Sequence, residues 1–256
     1  MLYLANPCGN EEITAAMAEG VIGLIDTPRQ GNRRPPGVLW CADNGCFSER
    51  WEPAEWWRFL EANAADAATC LFATAPDVVG DAVATEERAK PWLARIRDLG
   101  YPVAYVAQNG MEFSSWDLWD EIDCLFIGGT TAWKLGPEAC NLAAVASSMG
   151  KWIHVGRVNS ERRFRYAQAI RADSCDGTYL TYGPSKNLTN VLAWERTNQQ
   201  PALLDAADVW HPGPDVVGAG RPGLLPPAPQ LPAHGVVVAA ARSRADAPRR
   251  GAGSAR

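Results

Sequence analysis

The 256-residue chain has little of what metal sites and membrane segments require. It contains three histidines, His154, His211 and His234, and its seven cysteines form no CxxC pair. A structural zinc site needs about four cysteine or histidine ligands, so the sequence predicts no bound metal. No apolar run approaches the roughly 18 residues that span a bilayer, and the N-terminus lacks the features of a signal peptide. We therefore expect a cytoplasmic protein that has free thiols, no membrane contact and no cofactor.

Excess positive charge is also absent. The 24 Lys and Arg residues are outnumbered by 29 Asp and Glu residues, for a formal net charge of −5. This balance disfavours a protein that coats nucleic acid through bulk positive charge, although a local basic patch remains compatible with it. The content of 47% hydrophobic and 21% charged residues is that of an ordinary globular protein.

The composition changes sharply near Gln199. Nine of the 19 prolines follow this residue, together with a single aromatic residue, Trp210. Such a segment buries too little apolar surface to offset the entropy lost on ordering. The sequence therefore predicts one folded domain over residues 1–198 and a largely disordered tail, rich in proline, alanine and arginine, over residues 199–256.

Short apolar runs recur through the predicted domain, with helix-like segments between them. They begin at Leu2, Val21, Val38, Cys70, Val103, Cys124, Trp152 and Ser174. Continuous apolar runs are typical of parallel strands buried on both faces, so the pattern predicts a (β/α)₈ TIM barrel, with an open doubly wound sheet as the alternative. Polar or glycine-rich clusters follow nearly every run. In a barrel these clusters meet at one face, which favours the barrel.

Two aspartates end apolar runs beside glycine. They are Asp43 in WCADNGCF and Asp176 in ADSCDGTY. Two carboxylates that face one another can act as nucleophile and general acid/base at a glycosidic carbon. The simpler interpretation is that both sequences form turns and that each aspartate caps a helix. For either residue taken alone, the simpler interpretation is favoured.

Other strand-end residues suggest ligand contacts. Gln108 follows a strand in YVAQNG, and Gly128 and Gly129 follow another in FIGGTT. A carboxamide offers a donor and an acceptor to a planar base, and glycines expose backbone N–H groups. A tight turn or a phosphate cradle would require the same glycines. His154 in WIHVG is by default a core residue, but it precedes Asp176 by one strand.

Basic residues cluster in GRVNSERRFR, which contains Arg157, Arg162, Arg163 and Arg165. On a helix such arginines usually form a solvated face. Beside a pocket at the strand ends they would instead contact phosphates, so we predict nucleic-acid contacts here.

Taken in order, five short motifs resemble those of the tRNA-guanine transglycosylase family. ADNGCF is similar to the family's DSGGFQ segment, VAQNG to its VQGG segment, and FIGGT to its base-recognition turn. HVGR and ADSCDGT resemble the two segments that lead to the nucleophile. The family's zinc subdomain is missing, because no cysteine follows Cys175. The short form is similar to divergent transglycosylases that modify DNA.

The resemblance implies a TIM-barrel glycosyltransferase that exchanges guanine for a 7-deazaguanine co-substrate, in DNA more than in tRNA. It implies that Asp176 is the nucleophile and Asp43 the general acid/base. It also implies base recognition by Asp77, Gln108 and the backbone of Gly128 and Gly129, and we add His154 to this base-binding set.

Two other functions remain open at this point. The barrel would be a nucleobase or nucleotide sensor, or an accessory subunit, if it binds without turnover. An unrelated small-molecule enzyme would be favoured if Asp43 and Asp176 pointed to different faces of the barrel. A homodimer or a partner protein is compatible with each function.

Overall fold

The computed structural model describes residues 1–6, 9–30, 34–48 and 51–196. Within these ranges, eight strands pair in sequence order and the last pairs with the first, so the sheet is a closed barrel. Every pairing is parallel. The predicted (β/α)₈ barrel is thus confirmed and the open sheet is excluded. The predicted tail over 199–256 lies outside the described residues.

Each strand forms within one of the apolar runs of the sequence. The strands are β1 Leu2–Ala5, β2 Gly23–Asp26, β3 Trp40–Ala42, β4 Cys70–Thr74, β5 Val103–Ala107, β6 Cys124–Ile127, β7 Trp152–Val155 and β8 Ser174–Gly177. Most of their residues are buried, as strands covered on both faces require.

Helices follow most of the strands and cover the outside of the barrel. They are α1 Glu11–Ala18, α2 Pro53–Asn63, α3 Ala82–Asp98, α4 Thr131–Lys134, α5 Pro137–Ser148, α6 Glu161–Ala169 and α7 Pro184–Arg196. Just after the end of α3, Gly100 has a φ of 91°, a conformation that glycine commonly adopts where a helix stops. None of the helices in the described ranges has the length and apolar character that a bilayer crossing needs.

The buried side chains form two layers. The larger layer lies between the barrel and its helices and contains bulky residues such as Trp40, Trp56 and Phe164. The smaller layer fills the barrel interior, where Phe72 and Phe126 pack edge to face at 6.3 Å between ring centroids. This interior plug closes the barrel below its C-terminal mouth, so a ligand can enter only from the loops above.

Other residues cap the helices that begin at the mouth. Thr130 caps α4 and Ser160 caps α6, each through its side-chain oxygen, and Asp81 caps α3 in the same way. Neither Asp43 nor Asp176 is the N-cap of a helix whose cap the structure defines. The simpler interpretation of these two aspartates as helix caps is therefore wrong.

Candidate active site

A cavity of about 370 Å³ opens at the C-terminal mouth of the barrel. Asp43 from the end of β3 and Asp176 from β8 both line it, together with Phe126 at the base. Most of the other predicted site residues line the same cavity: Asp77, Gln108, Gly128, Gly129 and Arg157. The fold therefore brings together residues that lie as much as 133 positions apart (43 to 176) in the chain.

Asp43 has few hydrogen-bond donors. Its Oδ1 accepts from the backbone N–H of Gly45 at 3.4 Å, which is a long contact. Burial, together with the negative charges of Asp176 and Asp77, raises the pKa of Asp43 to about 7. A carboxyl group with this pKa both donates and accepts protons near neutral pH, as general acid/base catalysis requires.

Asp176 lies in a different environment. Its Oδ1 is 3.0 Å from Nε2 of His154 and accepts from the backbone N–H of Arg157 at 3.3 Å. The side chain is 13% exposed, whereas that of His154 is fully buried. His154 does not belong to the lining of the cavity, because its ring lies beneath Asp176 inside the barrel. The predicted base contact of His154 would require that ring to reach the ligand past the carboxylate.

A third carboxylate, Asp77, is held by two amides. Its Oδ2 accepts from Nε2 of Gln108 at 2.6 Å and its Oδ1 accepts from Nδ2 of Asn44 at 3.1 Å. Burial raises the pKa of Asp77, and these hydrogen bonds oppose the increase. Oε1 of Gln108 accepts from the N–H groups of Gly80 and Gly129. Most of the hydrogen bonds that the Gln108 amide can form are therefore made to other residues of the protein rather than being free for a ligand.

The glycine pair has a packing reason. A Cβ on Gly128 would lie 2.7 Å from Cγ1 of Val106, and one on Gly129 would lie 2.4 Å from the ring of Trp133. Gly129 also has a φ of 67°, which other residues rarely adopt. Both glycines are needed for the chain to turn closely over β5, whether or not their backbone contacts a ligand.

The four predicted phosphate-binding arginines do not form one patch. Arg157 lines the cavity, donates to the carbonyl of Gly129 and lies 4.7 Å from the centroid of the Phe47 ring. Arg163 donates to the carbonyl of Arg157 at 3.1 Å, and Arg162 is exposed. Arg165 contacts α7 through the carbonyl of Trp194. Nucleic-acid binding by this set stays a prediction.

The strained backbone of Arg157 is consistent with a functional position. Its φ is 60°, a conformation that costs a non-glycine residue about 1 kcal/mol or more. This conformation turns the backbone N–H of Arg157 toward Asp176 while its guanidinium crosses the mouth. The surrounding contacts compensate for the strain.

Sequence reasoning missed Lys134 and Ser174. Lys134 is 2% exposed and its Nζ donates to the carbonyl of Gly156. Burial and the neighbouring Arg157 charge lower the pKa of Lys134 to about 7. Ser174 lies two residues before Asp176 on the same strand, so the period of two along β8 is the signal that places both on one face.

A second cavity of about 430 Å³ adjoins the first. Asn6, Asp43, Asn44 and Phe47 line both, so Asp43 borders the two spaces. In the described part of the chain, no group of three or more His, Cys, Asp or Glu residues is arranged to hold a metal ion.

Comparisons with known proteins give little beyond the fold. No family model and no curated protein matches the chain. It is similar to a solved structure described as a mandelate racemase/muconate lactonizing protein from Herpetosiphon aurantiacus, with 14% identity and a TM-score of 0.46. The match covers 70% of this chain and spans 56% of the length of that structure. A likeness of this size carries no information about the reaction.

The predicted membership of the tRNA-guanine transglycosylase family is therefore wrong. No family model of these transglycosylases matches the chain, and no curated protein of that family does either. The predicted exchange of guanine for a 7-deazaguanine and the predicted glycosyltransferase activity depended on this membership and are wrong as well. The motifs were misleading because glycine, aspartate and glutamine at strand ends have structural tasks here: Gln108 braces Asp77, and Gly128 and Gly129 avoid collisions.

Proposed function

We propose that the barrel is an acid–base enzyme that acts on a small polar molecule through a positively charged transition state. In this proposal Asp43 donates and accepts the proton, and the facing carboxylate of Asp176 stabilises the charge that develops. The observation that carries the proposal is that both carboxylates line one cavity with unequal sets of hydrogen-bond donors. Unequal environments let two groups of one chemical type divide acid–base work.

The size and charge of the cavity suggest the substrate class. Three carboxylates and one guanidinium line a space of about 370 Å³, which suits a molecule of small-metabolite size that carries N–H or O–H donors. Arg157 already contacts the carbonyl of Gly129 and the ring of Phe47 at the rim. The carboxylates of Asp43 and Asp176 line the same cavity, and carboxylate oxygens attract cations.

Two titrations change the charge of the site in the same direction. Above a pH of about 7, Asp43 becomes negative and Lys134 loses its positive charge. A cationic ligand should therefore bind more tightly at pH 8 than at pH 6. A neutral ligand of the same shape should show no such change.

Binding of benzamidinium and of neutral benzamide tests this charge preference. We expect benzamidinium to bind several-fold more tightly at pH 8 than at pH 6 in a calorimetric titration, with benzamide weaker at both. Asp43→Asn should reduce the pH dependence to the part that Lys134 contributes, and Asp117→Asn, a change at an exposed loop aspartate, should leave it intact. Equal affinity for the two probes would refute the proposed charge preference.

Turnover is tested with a small-molecule extract of the producing cells. Wild-type protein should consume a compound that neither Asp43→Asn nor Asp176→Asn consumes, as followed by mass spectrometry. Asparagine keeps the shape of each side chain but neither exchanges a proton as a carboxyl group does nor carries its charge. Consumption that both variants retain would exclude these two residues as the catalytic pair.

The cytoplasmic location stays part of the proposal. The six cysteines in the described ranges are all free thiols: Cys41, Cys46, Cys70, Cys124, Cys140 and Cys175. Free thiols in this number are typical of proteins from a reducing compartment.

A further inference from the structure

A chain of polar side chains runs through the apolar interior of the barrel to Asp176. Trp152 and His154 lie two residues apart on β7, and Ser174 and Asp176 lie two residues apart on β8, so each pair lies on one face of its strand. The register of the two strands places His154 beside Ser174. Trp152 Nε1 is 2.8 Å from Ser174 Oγ, Ser174 Oγ is 2.8 Å from His154 Nδ1, and His154 Nε2 is 3.0 Å from Asp176 Oδ1.

The apolar surroundings of His154 make the loss of either hydrogen bond costly. The imidazole is fully buried, and the rings of Phe72 and Phe126 lie 5.1 and 4.4 Å from it between centroids. A polar ring among aromatic carbons has only the two hydrogen bonds seen here to replace water. Both nitrogens are used, so each bond is costly to lose.

The direction of the chain follows from donor chemistry. The indole nitrogen of Trp152 is only a donor, so Ser174 Oγ accepts from it. Ser174 is fully buried, and among the described residues its Oγ contacts only Trp152 and His154, so its single hydroxyl hydrogen lacks an acceptor unless it donates to His154 Nδ1. A nitrogen that accepts this hydrogen is unprotonated, so the ring carries its hydrogen on Nε2 and donates it to Asp176 Oδ1.

We propose that Trp152 and Ser174 are positioning residues that fix His154 in the neutral tautomer with hydrogen on Nε2, and that this tautomer orients the Asp176 carboxylate. The His154 and Arg157 N–H groups both bind Oδ1. No described residue is seen to hydrogen-bond to Oδ2, which is the oxygen left for a ligand. This inference rests on the proposed function in one respect only, namely that a ligand binds to Asp176.

The tautomer is read directly by nitrogen NMR. The chain has three histidines, and His211 and His234 follow residue 198, so the full-length protein gives few imidazole signals to assign. We expect the wild-type His154 to show a protonated Nε2 and an unprotonated, hydrogen-bonded Nδ1. A signal from protonated Nδ1 would overturn the inference, whatever the activity of the protein.

Two variants interrupt this series of hydrogen bonds at different residues. Trp152→Phe keeps the aromatic bulk but frees the Ser174 hydroxyl to turn, and Ser174→Ala removes the hydroxyl. Both should shift the His154 signals toward a mixture of tautomers and weaken benzamidinium binding about three- to tenfold. Trp57→Phe is the matched control, because that indole packs against Trp92 outside the barrel, and it should change neither measurement.

The readouts separate this inference from the proposed function. A single tautomer that survives in Trp152→Phe and Ser174→Ala would overturn the positioning role, even if Asp43 and Asp176 prove essential for turnover. A confirmed tautomer together with full turnover in Asp176→Asn would overturn the function and leave the hydrogen-bond chain in place. If Ser174→Ala fails to fold, Trp152→Phe still tests the tautomer.

Discussion

The two sides of the barrel mouth hold the same kind of side chain in opposite ways. On the β3–β5 side, Asp43 accepts one long backbone hydrogen bond, while the amides beside it are committed to Asp77. On the β7–β8 side, Asp176 accepts two N–H groups through one oxygen. Burial and neighbouring negative charge raise the pKa of Asp43, and its single long hydrogen bond does little to oppose them.

The two sides also differ in the kind of contact that holds their residues in place. The β7–β8 side depends on close backbone packing, since the Val158 carbonyl would lie 2.6 Å from a Cβ on Gly177. The β3–β5 side depends on a hydrogen-bonded network of Asn44, Asp77 and Gln108. We therefore expect substitutions on the first side to act through steric overlap and those on the second to act through charge, with a pH dependence.

The largest effect is expected from Gly177→Ala. The new methyl group would lie 2.3 Å from Asn159 Oδ1 and 2.6 Å from the Val158 carbonyl, and backbone cannot move away easily. Overpacking of this kind should lower the free energy of unfolding by about 3 kcal/mol in urea denaturation. Gly9→Ala, where nothing lies within 4 Å of the new atom, is the control. Equal losses in both variants would mean that the β8 packing is looser than described.

A smaller, pH-dependent loss is expected from Gln108→Glu. The substitution places two carboxyl groups about one hydrogen-bond length apart, because Gln108 Nε2 is 2.6 Å from Asp77. One proton must then bridge the pair, and the unfolded chain releases that proton above a pH of about 4. The folded state binds more protons than the unfolded state, so stability falls as pH rises. We expect a loss of about 2 kcal/mol at pH 8 and much less at pH 5.

Gln168→Glu is the matched control for this change. Its Oε1 accepts from Arg165 at 3.3 Å, so a carboxylate there gains a favourable partner. Its stability should change little between pH 5 and pH 8. A loss in Gln108→Glu that is the same at both pH values would show that the site lacks the shared proton.

The fold could be predicted from the sequence because each strand is buried on both faces and therefore forms a continuous apolar run. A run of continuous apolar residues such as CLFI, which becomes β6, is typical of a parallel strand covered on both faces. The convergence of Asp43 and Asp176 followed from the same pattern, since parallel strands end at one face. What failed was the interpretation of chemistry from short motifs, whose glycines, Gly128 and Gly129, have a packing role that only the structure shows.

Two contacts were beyond reach of the sequence for physical reasons. Ser174 meets His154 because of the register between β7 and β8, and a register is set by pairing in space. Lys134 is buried beneath the mouth, whereas a lysine in a short helix is expected to be exposed. The period of two along β8 puts Ser174 on the same face as Asp176, but it does not show that His154 is the partner of Ser174, and no pattern along the chain shows the burial of Lys134.

Asp43→Asn should stabilise the protein modestly at high pH. The pKa of Asp43 is about 7 in the folded state, above its usual value of 3.8, so the folded state holds a proton that the unfolded state has released. The stability that this group contributes is full at low pH and is lost as pH rises from about 4 to 7. At about 1.4 kcal/mol for each pKa unit this loss amounts to a few kcal/mol by pH 8, and asparagine lacks it, so the variant should exceed wild type there by at least about 1 kcal/mol.

Thermal unfolding across pH 5 to 8 measures this difference. Asp117→Asn should run parallel to wild type, because Asp117 is exposed in a loop away from the mouth. An Asp43→Asn curve that also runs parallel to wild type would remove the asymmetry between the two carboxylates.

The smallest effect is expected where the two sides meet. Phe47, which is 64% exposed and follows β3, lies under the guanidinium of Arg157, which follows β7. An exposed cation–π contact contributes about 0.5 to 1 kcal/mol, so Phe47→Leu alone should lower stability by less than about 1 kcal/mol. A double-mutant cycle with Arg157→Met removes the other losses of each substitution and isolates the coupling between the two side chains.

The stacking of Arg95 on Trp57, at 4.3 Å, provides a reference cycle on the outer helices. Both cycles should give coupling energies of similar size, since each joins a guanidinium to an aromatic face. The mouth cycle should differ in one respect: Phe47→Leu should also speed hydrogen exchange at the Arg157 amide, whose N–H is bound to Asp176. Coupling near zero at the mouth, with normal coupling at the reference pair, would mean that the contact between Phe47 and Arg157 does not link the loops that follow β3 and β7. The fixed separation of Asp43 and Asp176 that a shared acid–base reaction requires would then have to come from the strands of the barrel alone.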